Sequence, residues 1–303
     1  MINQKQKKEL PSLPPAMIAG AGGFVGSSVL SSIKEKFQQL FTPSRNELDI
    51  TKPENLLKFL GKYSPKVIVN FAAFTDINEA EKQRGERKGS VWLINVGGVK
   101  NLVRICEDDK IFLIHVSTDA VFPGTNNFPG PYSETQVPPN NPGPLSWYGY
   151  TKLQGELMLT NSKARYALVR ISYPFGHKNC PKDFVNKVNE YVKKGLPLFS
   201  DQKFTPTYLP DLADTIFSVA FEQIEGTFHV TTHPLTSPYE FGAYLAKNLA
   251  PNADIKKSQV KEYLKTPHYV PRPIHGGLLT KKTEKKLSIR FHSWKDAIEE
   301  FTH

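Results

Sequence analysis

Cysteine is scarce in this chain. Cys106 and Cys180 are the only two in 303 residues, too few and too far apart for a disulfide framework or a metal-binding pair. Cys106 falls in an apolar helical pattern and is expected in the core. A reducing, cytoplasmic compartment is the expectation that follows. Long hydrophobic runs are missing too: nothing approaches the roughly 18 to 20 apolar residues of a membrane span. Residues 1–15 lack the apolar middle of a secretory signal. Polar, lysine-rich and closed by Pro11, Pro14 and Pro15, they read as a flexible basic arm.

Acidic residues are outnumbered, giving a net charge of +10. Residues 1–10 carry +2, and residues 247–290 carry +8, with nine lysines and two arginines against Asp254, Glu262 and Glu284. A solvated surface is the plain reading of such runs; an anionic ligand held by the C-terminal part is the sharper one. The basic stretches contain no recognisable nucleic-acid motif, so neither nucleic acid nor membrane is expected as a partner.

What is present is an alternation. Ala16–Ala19 is a short apolar run ending in glycines, followed by helical spacing over 24–37. A strand near 39–42, a helix over 53–60, a buried strand over 67–71, a long helix over 89–106 and an apolar strand over 111–116 come next. A Pro/Gly/Asn-rich loop, 123–144, precedes a helix bearing Tyr148 and a strand over 166–171. Strands alternating with helices predict a doubly wound parallel α/β sheet of the Rossmann kind, covered on both faces. Beyond Tyr173 the alternation loosens: helices are expected over 183–193, 210–221, 239–249, 281–287 and 294–301, with a strand over 227–231. The loop before Trp147 is too long for a mere connector and is expected to border a site.

Three features carry chemistry. Gly20, Gly23 and Gly26 sit where the first strand turns into a helix, the arrangement that lets backbone N–H groups approach a pyrophosphate. After the second strand comes Thr42-Pro43-Ser44-Arg45, with no acid until Glu47. Ser44 and Arg45 therefore favour NADP(H), with NAD(H) tolerated, since an acid there would instead bind the ribose hydroxyls; an exposed loop arginine is the bland alternative. Third, Tyr148 and Lys152 share a helix face at a spacing of four. A phenol titrating near pH 10 needs a neighbouring cation to serve as an acid at neutral pH. Thr118 ends an apolar strand, so its hydroxyl either bonds a reacting oxygen or satisfies a turn. Asn95, inside the long helix, either anchors Lys152 through backbone or water or faces solvent.

These motifs, in this order, resemble the extended short-chain dehydrogenases/reductases, and more narrowly the dTDP-4-dehydrorhamnose reductases, over about residues 16–301. The marks are Gly20-x-x-Gly23-x-x-Gly26, Leu48-Asp49-Ile50, Asn70 through Thr75, Asn95, and Ser117-Thr118-Asp119. Tyr148-Gly-x-x-Lys152, Asp201-Gln202-x-x-x-Pro206-Thr207 and Arg272-Pro273 continue the series. The resemblance implies that Gly23, Phe24 and Val25 cradle the pyrophosphate, Asp49 and Ile50 meet the adenine, and Ala72, Ala73, Phe74 and Thr75 line the cofactor's middle. Lys152 would bind the nicotinamide ribose, and Thr118, Asp119, Tyr148 and Tyr173 the sugar. It further implies reduction of the carbon-4 ketone of a nucleotide-linked 4-keto-6-deoxy sugar, with Tyr148 as the acid.

Ala120 stands where these reductases usually have tyrosine, Tyr173 where they have tryptophan, and Asn78 where aspartate is common. All three departures bear on the sugar. Another epimerase or reductase of the superfamily, and a non-catalytic regulatory subunit like that of methionine adenosyltransferase, are the alternatives. Residues 16–172 with about 208–235 are expected to form the dinucleotide-binding domain, and about 173–207 with 236–303 the substrate lobe. A homodimer is compatible with the resemblance.

Overall fold

The computed structural model describes residues 14–267 and 269–302. The expected basic arm therefore lies outside the described residues, apart from its last two prolines. In chain order the main elements begin with β1 (Ala16–Ala19), α1 (Phe24–Ile33), β2 (Leu40–Phe41), α2 (Pro53–Tyr63) and β3 (Val67–Asn70). Next come α3 (Ile77–Glu81), α4 (Ser90–Trp92), α5 (Val99–Asp108), β4 (Phe112–Thr118), α6 (Trp147–Thr160) and β5 (Tyr166–Ile171). The remainder holds α7 (Phe184–Lys193), β6 (Leu198–Phe199), α8 (Leu209–Glu222), β7 (Gly226–His229), α9 (Pro238–Leu249) and β8 (Lys257–Ser258). Helices α10 (Val260–Tyr263), α11 (Lys281–Leu287) and α12 (Trp294–Thr302) close the chain.

Six strands form one parallel sheet in the order β2-β1-β3-β4-β5-β7. Alternate side chains of each strand enter opposite layers. Ala16, Ile18, Val67, Val69, Phe112 and Ile114 pack with residues of α1 and α8, whereas Met17, Ala19, Ile68 and Leu113 pack with residues of α2 and α5. With both faces covered, apolar residues dominate on either side, which is why these strands read as mostly apolar runs. Truncating one such side chain, Ile18→Ala for instance, costs about 2–5 kcal/mol. Among the described residues no helix is long and apolar enough to cross a membrane.

A third core unites Phe175, Val188, Phe204, Phe241, Trp294 and Ile298, beside the two-stranded sheet β6-β8. The expected partition of the chain is blurred at one place. Phe291 belongs to the sheet's own core, with Leu287 and Ile289 packed against it, so the chain returns to the main sheet between α9 and α12. The expected long helix over 89–106 is also divided. A π-helical turn, Leu93–Gly98, separates α4 from α5, and Asn95 turns inward from it, 1% exposed. Such widened turns cluster at functional sites.

Candidate active site

Parallel strands put the ends of β1, β2, β3, β4 and β5 on one edge of the sheet, and the expected site residues lie at those ends or in the segments that follow them. At the end of β1, Gly20 has φ +78°, and a Cβ there would lie 2.5 Å from the Ala72 backbone nitrogen. A Cβ on Gly26 would lie 2.3 Å from the Gly20 carbonyl oxygen. Gly23 is the N-cap of α1, with no side-chain cap and no acid in the first turn. The N–H groups of Phe24 and Val25 are thus left to an outside anion, and glycine at 20 and 26 lets the turn close tightly beneath them.

The loop after β2 differs from its sequence reading. The Ser44 hydroxyl and backbone N–H both donate to Glu47 Oε2, each at 2.8 Å. Those bonds hold the Glu47 carboxyl below its usual value, the Ser44 backbone N–H foremost. An acid therefore stands beside Ser44 after all, brought back by a turn. Arg45 is exposed. Asp49 Oδ1 accepts from the Thr51 N–H and hydroxyl at 2.9 and 2.7 Å, and Ile50 is buried, with its carbonyl accepting from Asn101 at 3.0 Å.

After β3 the chain runs through Ala72, Ala73, Phe74 and Thr75. Its course is fixed by two buried asparagines. The Ala72 N–H donates to Asn70 Oδ1 at 3.0 Å, and Asn95 takes both backbone groups of Phe74, at 2.8 and 3.1 Å. Asn95 Nδ2 also donates to Thr151 Oγ1 at 3.0 Å. Asn95 is buried and not solvent-facing; its bonds to Phe74 and to Thr151, the neighbour of Lys152, tie the segment after β3 to α6.

Thr118 satisfies a turn, one of its two readings. Its hydroxyl accepts from the Ala120 N–H at 3.1 Å, capping the turn, and donates to Asp119 Oδ1 at 3.2 Å, while also lying beside the Tyr148 phenol. Helix α6 starts at Ser146, whose Oγ accepts from the Gly149 N–H at 3.1 Å. It approaches Thr118 closely because Gly149 has no side chain: a Cβ there would sit 2.1 Å from the Ala120 carbonyl.

The electrostatics run against one expectation. Lys152, 2% exposed, donates to the Val116 carbonyl at 2.8 Å and lies 3.4 Å from His115 Nε2. Burial draws its pKa from 10.5 down to about 8, with Glu156 opposing. Tyr148 is not held down by this lysine. Burial pushes the phenol up to about 12; Thr118 works the other way, and Asp119 adds to the rise. The ammonium is turned toward β4, and the phenol is desolvated beside a carboxyl group.

Asp119 itself is raised to about 6 by burial, against the hydrogen bonds it accepts, the shortest from the Ser172 hydroxyl at 2.6 Å. Tyr173 adopts φ 42°, a left-handed conformation rare outside glycine. Its ring packs on Phe184 and Phe204, and its hydroxyl accepts from Gln202 Nε2 at 3.1 Å. The long loop before Trp147 is strapped to the segment 274–279: Gly130 N–H donates to the His275 carbonyl at 2.7 Å and Tyr132 N–H to that of Gly277 at 2.9 Å.

Sequence reasoning missed the roles of Asn70, His115, Ser172 and Gln202. For Asn70 and His115 a signal existed: each is a polar residue inside an otherwise apolar strand, and a buried polar group must find a partner.

The chain matches the RmlD substrate binding domain over residues 15–303. It is 31% identical over 219 residues to the dTDP-4-keto-6-deoxy-D-glucose reductase of Streptomyces niveus, covering 71% of this chain and 72% of that protein. It is 27% identical over 294 residues to the dTDP-4-dehydrorhamnose reductase of Aggregatibacter actinomycetemcomitans, covering 93% and 96%. Its fold superposes with TM-score 0.83 on the dTDP-4-dehydrorhamnose reductase of Bacillus anthracis, crystallised in complex with NADP, at 24% identity over 95% of this chain and 98% of that one. Glycine turn, Tyr148–Lys152 helix and C-terminal segment all fall within the matched span, and the chain belongs to the RmlD substrate-binding-domain family of extended short-chain dehydrogenases/reductases.

Proposed function

We propose that this protein is an NADPH-dependent reductase of the carbon-4 ketone of a nucleotide-linked 4-keto-6-deoxyhexose, with dTDP-4-dehydro-L-rhamnose the best-matched substrate. The observation that carries the reading is the meeting of Thr118, Tyr148 and Asp119 at the sheet edge that also presents the uncapped start of α1. The relatives' own activities, reduction of dTDP-linked keto sugars, support it.

The glycine turn fits a dinucleotide, because it presents the uncapped, acid-free start of α1 to a phosphate. Gly20, Gly23, Phe24, Val25 and Gly26 would hold the pyrophosphate, Asp49 and Ile50 the adenine, Ala72 to Thr75 the middle, and Lys152 the nicotinamide ribose. Ser44 and Arg45 would meet the additional phosphate. When bound, the reduced nicotinamide supplies the hydride for the carbonyl carbon. Tyr148, kept protonated by burial, donates its proton to the ketone oxygen while the Thr118 hydroxyl supports the charge developing there. Asp119 and Tyr173 would contact the sugar. Asn95 works at one remove, by fixing Phe74 against α6. A reducing cytoplasm, where Cys106 and Cys180 stay free thiols, belongs to the same reading.

The test is NADPH oxidation across a panel of 4-keto sugar nucleotides. Turnover with dTDP-4-dehydro-L-rhamnose is expected. Tight NADPH binding with no turnover of any member would favour a regulatory subunit.

A further inference from the structure

Beneath the candidate site lies a buried group that the reaction as proposed does not use. His115 is 0% exposed, in the middle of β4, and its two ring nitrogens face Asn70 and Lys152. The tautomer of this imidazole follows from its neighbours. Asn70 Oδ1 accepts from the Ala72 N–H at 3.0 Å, which fixes the orientation of the amide. The other end, Nδ2, lies 3.0 Å from His115 Nδ1 and can only donate. Nδ1 therefore holds a lone pair, and the neutral ring carries its proton on Nε2. An imidazolium would set two donors against each other at Nδ1. Burial likewise holds the imidazole well below its ordinary pKa of 6.5, and Lys152 adds to the effect.

The Nε2–H group then points at Lys152 Nζ across 3.4 Å, while Nζ makes its own hydrogen bond to the Val116 carbonyl at 2.8 Å. An ammonium placed there offers a second donor to a donor. An amine offers a lone pair. We propose that His115 is a positioning residue for Lys152: held by Asn70 with Nε2–H turned toward Nζ, it keeps the lysine nitrogen on the Val116 carbonyl and eases the loss of its proton.

The other ionisable groups around Lys152 are few. Tyr148 lies one turn earlier on α6 and Glu156 one turn later, the latter paired with Arg170 of β5 at 2.7 Å. Asp119 stands on the turn after β4, and at the start of α6 Glu81 of α3 accepts from the Trp147 N–H at 2.8 Å. The buried residues of α4 and α5 include Val91, Val99, Leu102 and Val103, and the π-helical turn contributes the neutral Asn95. Glu156 favours the ammonium and burial opposes it, drawing the lysine to about 8; the Nε2–H of His115 opposes it further. The consequence rests on the reductase reading: a lysine nitrogen held on the Val116 carbonyl by His115 has a fixed position and charge beside the nicotinamide ribose it would bind.

The test reads the two residues directly. In the full-length protein with 15N-labelled histidine and 13Cε-labelled lysine, His115 is expected to show the Nε2–H tautomer and Lys152 to titrate near pH 8. In His115→Gln the carboxamide oxygen can accept from Nζ, and the Lys152 midpoint should rise by about one pH unit or more. Asn70→Asp reaches the same end by another route: its carboxylate accepts from Nδ1–H, turns the lone pair of Nε2 toward Nζ, and should switch the tautomer. An Nδ1–H tautomer in the wild type, or a Lys152 titration unmoved in the folded variants, overturns the proposal. The wild-type tautomer alone decides should neither variant fold. If the shifts appear but the wild type reduces no 4-keto sugar nucleotide, the functional reading falls and the His115–Lys152 relationship stands.

Discussion

Gln202 Nε2 donates both to the Tyr173 hydroxyl and to the Pro273 carbonyl, each at 3.1 Å. One buried amide thus ties the strained Tyr173 to the segment that carries Arg272. Backbone strain of this kind persists only where the surroundings hold it. Gln202→Leu should release Tyr173, raising KM for the sugar nucleotide about tenfold with a smaller effect on kcat, the pattern of lost ground-state binding. Steady-state kinetics check this, and an unchanged KM would remove Gln202 from the pocket.

Ala120 and Tyr173 replace larger side chains expected from the family, so selectivity among 4-keto sugars should be looser than in reductases with both aromatics. Ala120→Tyr combined with Tyr173→Trp should tighten it. The measurement is kcat/KM across several 4-keto sugar nucleotides, wild type against double variant. A wild type already confined to the rhamnose precursor, with no gain in the variant, would show that these positions do not set specificity.

Tyr148→Phe should lower kcat by about 100-fold or more while leaving NADPH affinity near its wild-type value. Tyr150→Phe should remain active, because Tyr150 stacks on Trp147 with ring centroids 5.5 Å apart, whereas it is the Tyr148 phenol that lies beside Thr118. The reverse outcome would reassign the acid.

Cofactor choice should respond in opposite directions to two neighbours. Arg45→Ala should reduce the preference for NADPH over NADH about tenfold, the scale of one charge-assisted contact. Glu47→Gln removes the anion that now holds Ser44 and should increase that preference. Ratios of kcat/KM with the two cofactors decide it; an unaltered ratio in Arg45→Ala would leave this arginine an ordinary surface residue.

Asp119 should make the protein less stable as pH rises. Its folded pKa, about 6, lies above the ordinary 3.8, so the folded state holds the proton more tightly than the unfolded chain. The stability gained is full below the unfolded value and is lost as pH climbs through about 6. A shift of that size corresponds to about 3 kcal/mol at neutral pH. Asp119→Asn, which can still accept from Ser172, should therefore raise Tm near neutral pH and change it little at about pH 4, at the expense of sugar binding. Thermal melts at both pH values test the sign.

Much of the site was legible because its signals are local. A glycine at every third position after an apolar run can be read from one segment, and so can a tyrosine and lysine four apart, since each reflects a fixed geometric repeat. The breaks in that reading share a cause. The π-helical turn at Leu93–Gly98 is associated with an inward-turned Asn95 bonded to Phe74, 21 residues away. Glu47 looked too distant to matter until a turn folded it onto Ser44. The loop before Trp147 is held by the segment 274–279, nearly 150 residues further along the chain, a partner no local signal names.

The sequence by itself determined the parallel sheet, the dinucleotide turn and the pairing of Tyr148 with Lys152 on one helix face. Apolar periodicity and residue spacing obey the same 2.0 and 3.6 repeats in any fold. Only the tertiary structure decided where Lys152 points. Its partners, His115 and the Val116 carbonyl, lie 37 and 36 positions away, and Asn70 reaches His115 through the register that sets those two residues side by side on β3 and β4. A hydrogen bond depends on distances of a few tenths of an ångström and on which atom holds the proton, and no spacing along the chain encodes either.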